Sequence, residues 1–176
     1  TAEIAIQASL TGHLVLSTLH TNDSVSAITR LIDMGIEPYL ISSSVIAAMA
    51  QRLIRNICPN CKSPDGSQEQ MISLLNEEER ESLVDGQFYK GAGCESCIQT
   101  GYIGRTGIFE LLVIDDDVKE LTTKRSCSHV IKHIAVEKGM STLREDGLRK
   151  ALAGETTLEE VYRVTQDSAL SKESIG

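Results

Sequence analysis

Two Cys-x-x-Cys pairs, Cys58-Pro-Asn-Cys61 and Cys94-Glu-Ser-Cys97, constrain this chain more than anything else in it. Each pair sets two thiols on one tight turn, and two such turns supply the four soft ligands of a tetrahedral structural zinc. Residues 62–93 separate the pairs, a longer excursion than a zinc ribbon ordinarily makes, so a metal on Cys58, Cys61, Cys94 and Cys97 would close a long loop. In small zinc modules such binding acts on folding itself, with an apparent worth on the order of 10–16 kcal/mol. A disulfide framework competes for the same residues, but no signal peptide or apolar span precedes them, and a reducing cytosol favours free thiols. A thioredoxin-like redox site uses one pair, and here there are two. Four thiolates also leave a zinc no open position, which argues against a zinc hydrolase. The expected metal is structural.

With 176 residues, 41% of them hydrophobic and 24% charged, the chain has ordinary globular composition and enough length for one core or two small ones. Thr1 runs directly into an apolar pattern with no start methionine, which reads as a piece of a longer protein. The net charge of −8 and a pI near 5.0 disfavour a sequence-independent grip on nucleic acid. Aromatic residues total 3%, with no Trp, leaving little on which bases could stack.

Residues 2–10 read as a short helix with Ile6 and Leu10 stacked four apart, broken at Gly12. His13-Leu14-Val15-Leu16-Ser17-Thr18 reads as a strand, and its unbroken apolar run predicts burial on both faces, as in a parallel sheet covered by helices. The polar residues Thr18, His20, Thr21 and Asn22 then fall at the carboxyl end of that strand, the edge where open α/β sheets bind ligands. Asn22, Asp23 or Ser24 can cap a helix with Val25, Ile28 and Ile32 on one face, ending at Gly35 before Pro38. A second apolar helix is expected from Tyr39 to Met49. Residues 51–57 alternate imperfectly, with Leu53 and Ile57 on one side, and read as a strand delivering Cys58. Ser67-x-x-Gln70 and Asn76-x-x-Glu79 mark short helix starts between the pairs. A returning strand is expected from Ile108 to Ile114. Beyond Asp115 the pattern is helical, with capping boxes at Thr142-x-x-Glu145 and Thr157-x-x-Glu160 and a polar tail after Asp167.

Leu111-Leu112-Val113-Ile114-Asp115-Asp116 imitates a Walker B strand, but Asp115, Asp116 and Asp117 are better read as the acidic start of a helix. No G-x-x-x-x-G-K-[ST] phosphate loop occurs in the sequence. His129 and His133 have a metal-compatible spacing yet share the polar side of their helix. Cys127 is unpaired and reads as a small residue at a helix start. Arg52, Arg55, Lys62, Lys90 and Arg105 cluster around the cysteines in sequence, where cations would offset the charge of four thiolates on one zinc or else contact an anion at a neighbouring subunit or ligand.

The stretch Gly12-His13-Leu14-Val15-Leu16-Ser17-Thr18-Leu19-His20-Thr21-Asn22 resembles the His box of bacterial type II secretion and type IV pilus assembly ATPases. The resemblance runs on through Thr29-Arg30-Leu31-Ile32-Asp33-Met34-Gly35, Gln51-Arg52-Leu53, the four cysteines and Gly104-Arg105-Thr106-Gly107-Ile108-Phe109-Glu110 to about residue 166. It implies an α/β fold: the C-terminal part of a RecA-like P-loop NTPase core over residues 1–57, a tetracysteine zinc subdomain over 58–107, and a returning strand with a helical subdomain over 108–176. It places His13, Thr18 and His20 beside the nucleotide, with His20 the catalytic-site member and γ-phosphate sensor. It implies zinc as a structural cofactor and ATP with Mg2+ in the full-length protein. The implied assembly is a homo-hexamer, cytoplasmic, working with secretion or pilus platform proteins at the inner-membrane face, without nucleic acid. The family's Walker A, Asp box and Walker B are expected upstream of Thr1, so this piece alone is expected to be inactive. The competing expectation is a freestanding zinc-ribbon interaction module.

Overall fold

The computed structural model describes residues 1–66, 72, 73, 75–81, 83 and 86–166. The chain forms two compact units, one built from residues 1–50 and 110–142, the other from 51–109 and 143–176. Among the described residues there is no helix long and apolar enough to cross a membrane.

In the first unit, helix α1 (Ala2–Leu10) forms where expected and seats Ile6 in the core. Helix α2 (Ser26–Asp33) begins where the Asp23 carboxylate accepts the Ser26 N–H at 2.8 Å, one of the three caps the sequence offered. Its Val25–Ile28 face is fully buried. Helix α3 (Pro38–Ser44) starts on a proline, whose missing N–H would have no partner in a first turn. It stops five residues short of Met49. Ser43 and Ser44 turn their hydroxyls back on the carbonyls of Tyr39 and Leu40, and the branched Val45 and Ile46 follow, so the chain goes over to strand β1 (Ala47–Ile57). Helices α5 (Asp116–Thr123) and α6 (Ser128–Glu137) come from the far end of the chain. Asp115 caps the former, accepting the Val118 N–H at 2.9 Å, so the Walker-like acids open a helix. Ile6, Val25, Ile28, Ile36, Ile41, Leu112, Ile114, Val118, Ile131 and Ala135 make one core. Each fully buried side chain of this size stabilises by roughly 1.5–3 kcal/mol.

The run from His13 to Thr18 is a correction. It belongs to no strand, and Leu14 is 78% and Leu16 87% exposed. An apolar run becomes a strand only when a neighbour takes its backbone groups, and among the described residues the sheets are a two-stranded pair of β1 with β4 (Tyr102–Val113) and another of β2 (Lys62–Pro64) with β3 (Tyr89–Gly91).

Strand β1 starts earlier than the sequence indicated and buries Ala50, Ile54 and Ile57, while Leu53 faces outward. Its partner β4 (Tyr102–Val113) likewise begins six residues before Ile108. Cys58 N–H donates to Gly101 O at one end, and Ile114 N–H to Ile46 O at the other, so the strands run in opposite directions.

The second unit contains the short ladder of β2 (Lys62–Pro64) with β3 (Tyr89–Gly91), antiparallel with Ser63 opposite Lys90. Helix α4 (Glu77–Glu81) opens with the reciprocal cap expected of Asn76 and Glu79: each side chain accepts the other's N–H, at 2.7 and 3.0 Å. The Ser67–Gln70 helix start and the tail after Asp167 lie outside the described residues. Helices α7 (Leu143–Leu152) and α8 (Leu158–Thr165) cover the excursion, their Leu148, Ala151, Leu158 and Val161 packing with Leu75, Leu83 and Phe88. Between them Gly154 takes φ +69°, and a side chain there would meet Lys62 Nζ and Tyr89 Cδ2 within 3 Å.

Candidate metal centre

Strand β1 carries the chain to Cys58, which is fully buried, and a turn returns the Cys61 N–H to Cys58 O at 3.3 Å. The second pair is built on a single 3-10 turn, Glu95–Cys97, after which Ile98 and Gln99 pass through left-handed conformations at φ 51° and 60°. The two knuckles approach through glycine. A Cβ on Gly91 would lie 2.0 Å from Gly101 O, and one on Gly101 2.5 Å from Gly91 O, so neither position admits a side chain.

This places the four sulfurs together. All lie within 4.8 Å of one another, with separations of 3.8 Å for Cys58–Cys94, 3.9 Å for Cys61–Cys97 and 3.7 Å for Cys94–Cys97. A tetrahedron of sulfurs at the usual zinc–thiolate distance of about 2.3 Å has edges of about 3.8 Å. A disulfide would bring two sulfurs to about 2.05 Å, and all five cysteines are free. The donor set and spacing fit a four-thiolate tetrahedral metal.

Backbone amides stabilise the sulfurs. Gly93 N–H reaches Cys61 Sγ at 3.3 Å, and the N–H groups of Cys94 and Gly101 reach Cys97 Sγ at 3.2 and 3.3 Å. Burial pushes the Cys97 thiol up, but these two amides and the adjoining sulfurs outweigh it and hold the thiol at about 6. Burial pushes the Cys61 thiol up to about 12, against one amide and with the other thiols adding to the rise. A cation at the centre would favour loss of the remaining protons.

Three of the five cations expected around the thiolates have partners of their own. Lys90 pairs with Asp65 at 3.0 Å, and Lys62 lies over the Tyr89 ring at 4.3 Å. Arg55 lies over Tyr102 and donates to Glu160 at 2.5 Å. Glu160 is fully buried and also takes the Arg55 N–H at 3.1 Å and two bonds from Arg163 at 2.9 Å. Only half of the Thr157 capping box forms. Thr157 Oγ1 accepts the Glu160 N–H at 3.2 Å, while the carboxylate turns inward to the arginines. Burial alone would raise the Glu160 carboxyl, but the Arg163 and Arg55 bonds dominate and hold it at about 2.

The histidine segment is a separate feature of the first unit. His13, Thr18 and His20 are all exposed. His13 Nδ1 lies 3.0 Å from Thr11 Oγ1. His20 lines an open cavity of about 250 Å³ with Thr21, Asn22, Ser26, Thr29, Arg30 and Asp33, and neither His13 nor Thr18 is part of that lining. His129 and His133 are exposed, the latter 3.6 Å from Glu137, and among the described residues only the four cysteines gather as a metal-binding group.

Sequence reasoning missed a second buried carboxylate. Glu110, 1% exposed on β4, accepts the Ser24 N–H at 3.0 Å and the Ser24 hydroxyl at 2.6 Å, and lies 3.3 Å from Lys132 Nζ. A charged residue flanked by Phe109 and Leu111 in the otherwise apolar run from Ile108 to Ile114 was the available signal.

The family model for type II/IV secretion system proteins matches residues 1–163. The chain is 50% identical over 96% of its length to the type II secretion system ATPase E of Vibrio cholerae and 51% identical over 95% to the type II secretion system protein E of Pseudomonas aeruginosa. It is also 51% identical over 94% to the type IV pilus assembly ATPase PilB of Thermus thermophilus. The chain spans 33%, 32% and 18% of these three relatives, about a third of the length of the secretion proteins it matches.

Proposed function

We propose, from the premise that the chain belongs to the type II/IV secretion system protein family, that it is the C-terminal portion of a hexameric ATPase powering protein secretion or pilus assembly. The observation that carries this reading is the likeness across residues 1–163, which takes in the histidine segment, both cysteine pairs and the C-terminal helices. In the full-length protein residues 1–57 complete a RecA-like core, and the motor works in the cytoplasm against platform proteins at the inner-membrane face.

His20 faces the nucleotide. Exposed at a polar cavity beside Arg30, its imidazole can donate to a phosphoryl oxygen as charge moves during hydrolysis. Phosphoryl transfer depends almost wholly on positioning and charge stabilisation. ATP binding through a phosphate loop, and Mg2+ ligation, belong to other parts of the longer protein, so these 176 residues alone turn over no ATP. Cys58, Cys61, Cys94 and Cys97 hold a structural zinc, which the sulfur separations and donor set support. It keeps the excursion rigid as a docking or lever element.

Two measurements test this. Elemental analysis is expected to find one zinc per chain, and ATP turnover is expected in the full-length protein but not in this piece. Turnover by the piece, or a zinc-free protein of unchanged fold, would overturn the corresponding half.

A further inference from the structure

Buried carboxylates are costly unless they are paired, and a carboxylate with three donors fixes whatever carries those donors. Glu110 carries that cost in the first unit. Two of its donors, the N–H and hydroxyl of Ser24, belong to the turn leading from the histidine segment into α2. Lys132 of α6 closes the arrangement, 3.3 Å from Glu110 and 3.1 Å from Asp23, whose other oxygen caps α2 through Ser26. Lys132 keeps its proton: burial opposes the charge, but Glu110 and Asp23 more than offset it. Residues 23–26 are thus pinned by two carboxylates and one ammonium. His20, Thr21 and Asn22, which precede this pinned stretch directly, line the open cavity together with Ser26 and other polar residues of α2.

We propose that Glu110, together with Lys132, is a positioning residue for the turn that presents His20. This rests on the reading of His20 as facing the nucleotide. Glu110 touches no reactant. It holds the Ser24 backbone so that the imidazole four residues earlier has a fixed point of departure. Loss of its charge would let the 20–26 segment relax and misplace the imidazole, and displacements of about 1 Å can cost on the order of a hundredfold in rate.

The test uses the full-length ATPase. Glu110→Gln keeps the side-chain shape and removes the attraction to Lys132. It is expected to lower kcat about tenfold, with KM for ATP changed less than about twofold. Amide exchange across residues 21–26 should quicken about tenfold. In a His20→Ala background the same substitution should add less than about twofold, because both changes act through one imidazole. Ser24→Ala, which removes a single hydroxyl from the carboxylate, is expected to follow the same pattern at about threefold and remains informative should Glu110→Gln fold poorly. Wild-type kcat in both variants alongside an impaired His20→Ala would overturn the positioning role and leave the His20 reading standing. Effects that multiply with His20→Ala would assign Glu110 to the fold alone. A neutral His20→Ala would overturn both readings together.

Discussion

The cysteine knuckles and the histidine segment make an instructive pair. Around the knuckles, ligands and their amide donors all come from residues 58–101 of one unit, and the sulfurs stand about where a tetrahedral cation needs them. The histidine segment is anchored only at its two ends: α1 before it, and Ser24 on Glu110 after it. Between them Leu14 and Leu16 stand in solvent. Short turns such as the two cysteine knuckles are set by local sequence, whereas an apolar run needs a neighbouring strand before it is ordered into a sheet.

The largest test of that contrast removes the metal. Cys58→Ser with Cys97→Ser should abolish zinc binding and lower the melting transition of residues 51–109 by about 10 °C or more, leaving exchange protection of residues 2–44 unchanged. An unmoved transition would make the knuckles as incomplete, energetically, as the histidine segment. Next in size is Glu160→Ala. It strands Arg55 and Arg163, which are 42% and 57% exposed and so partly relieved by water, and should cost about 2–3 kcal/mol in urea unfolding. The same carboxylate predicts an acid response. Its folded-state value of about 2 lies below the ordinary 4.5, so its contribution is complete above pH 4.5 and is lost as pH falls through 2. Glu160→Gln should flatten that slope, and an unchanged acid profile would remove the ion cluster from the account. The smallest effect is expected from Leu16→Ser, at 87% exposure, within about 0.5 kcal/mol in this chain. A larger loss would mean that the segment is packed after all, and the contrast would narrow.

These outcomes follow the same division as the reading of the sequence. The cysteine turns, the Asn76–Glu79 cap and the Asp115 helix start were legible because the partners lie within four residues. The end of α3 was misplaced because Ala47–Met49 suits helix or strand alike, and pairing decided it. Glu160 read as half of a capping box because Thr157-x-x-Glu160 is a local pattern. One of the two arginines that hold it inward, Arg55, is 105 residues away, while the other, Arg163, is only three residues on. Glu110 and Ser24 are 86 apart, and no spacing rule connects them.

The bond from Cys58 N–H to Gly101 O at 2.9 Å has a consequence for how this region can change over time. With β1 and β4 joined at that bond, the whole excursion from 58 to 101 is topologically an insert at the tip of a hairpin. A short turn could replace it without breaking the strand pair. Its deletion would nevertheless bare Leu148, Leu158 and Val161, which now lie against Leu75, Leu83 and Phe88. A lineage or a designer discarding the insert would have to give α7 and α8 a polar surface in the same step.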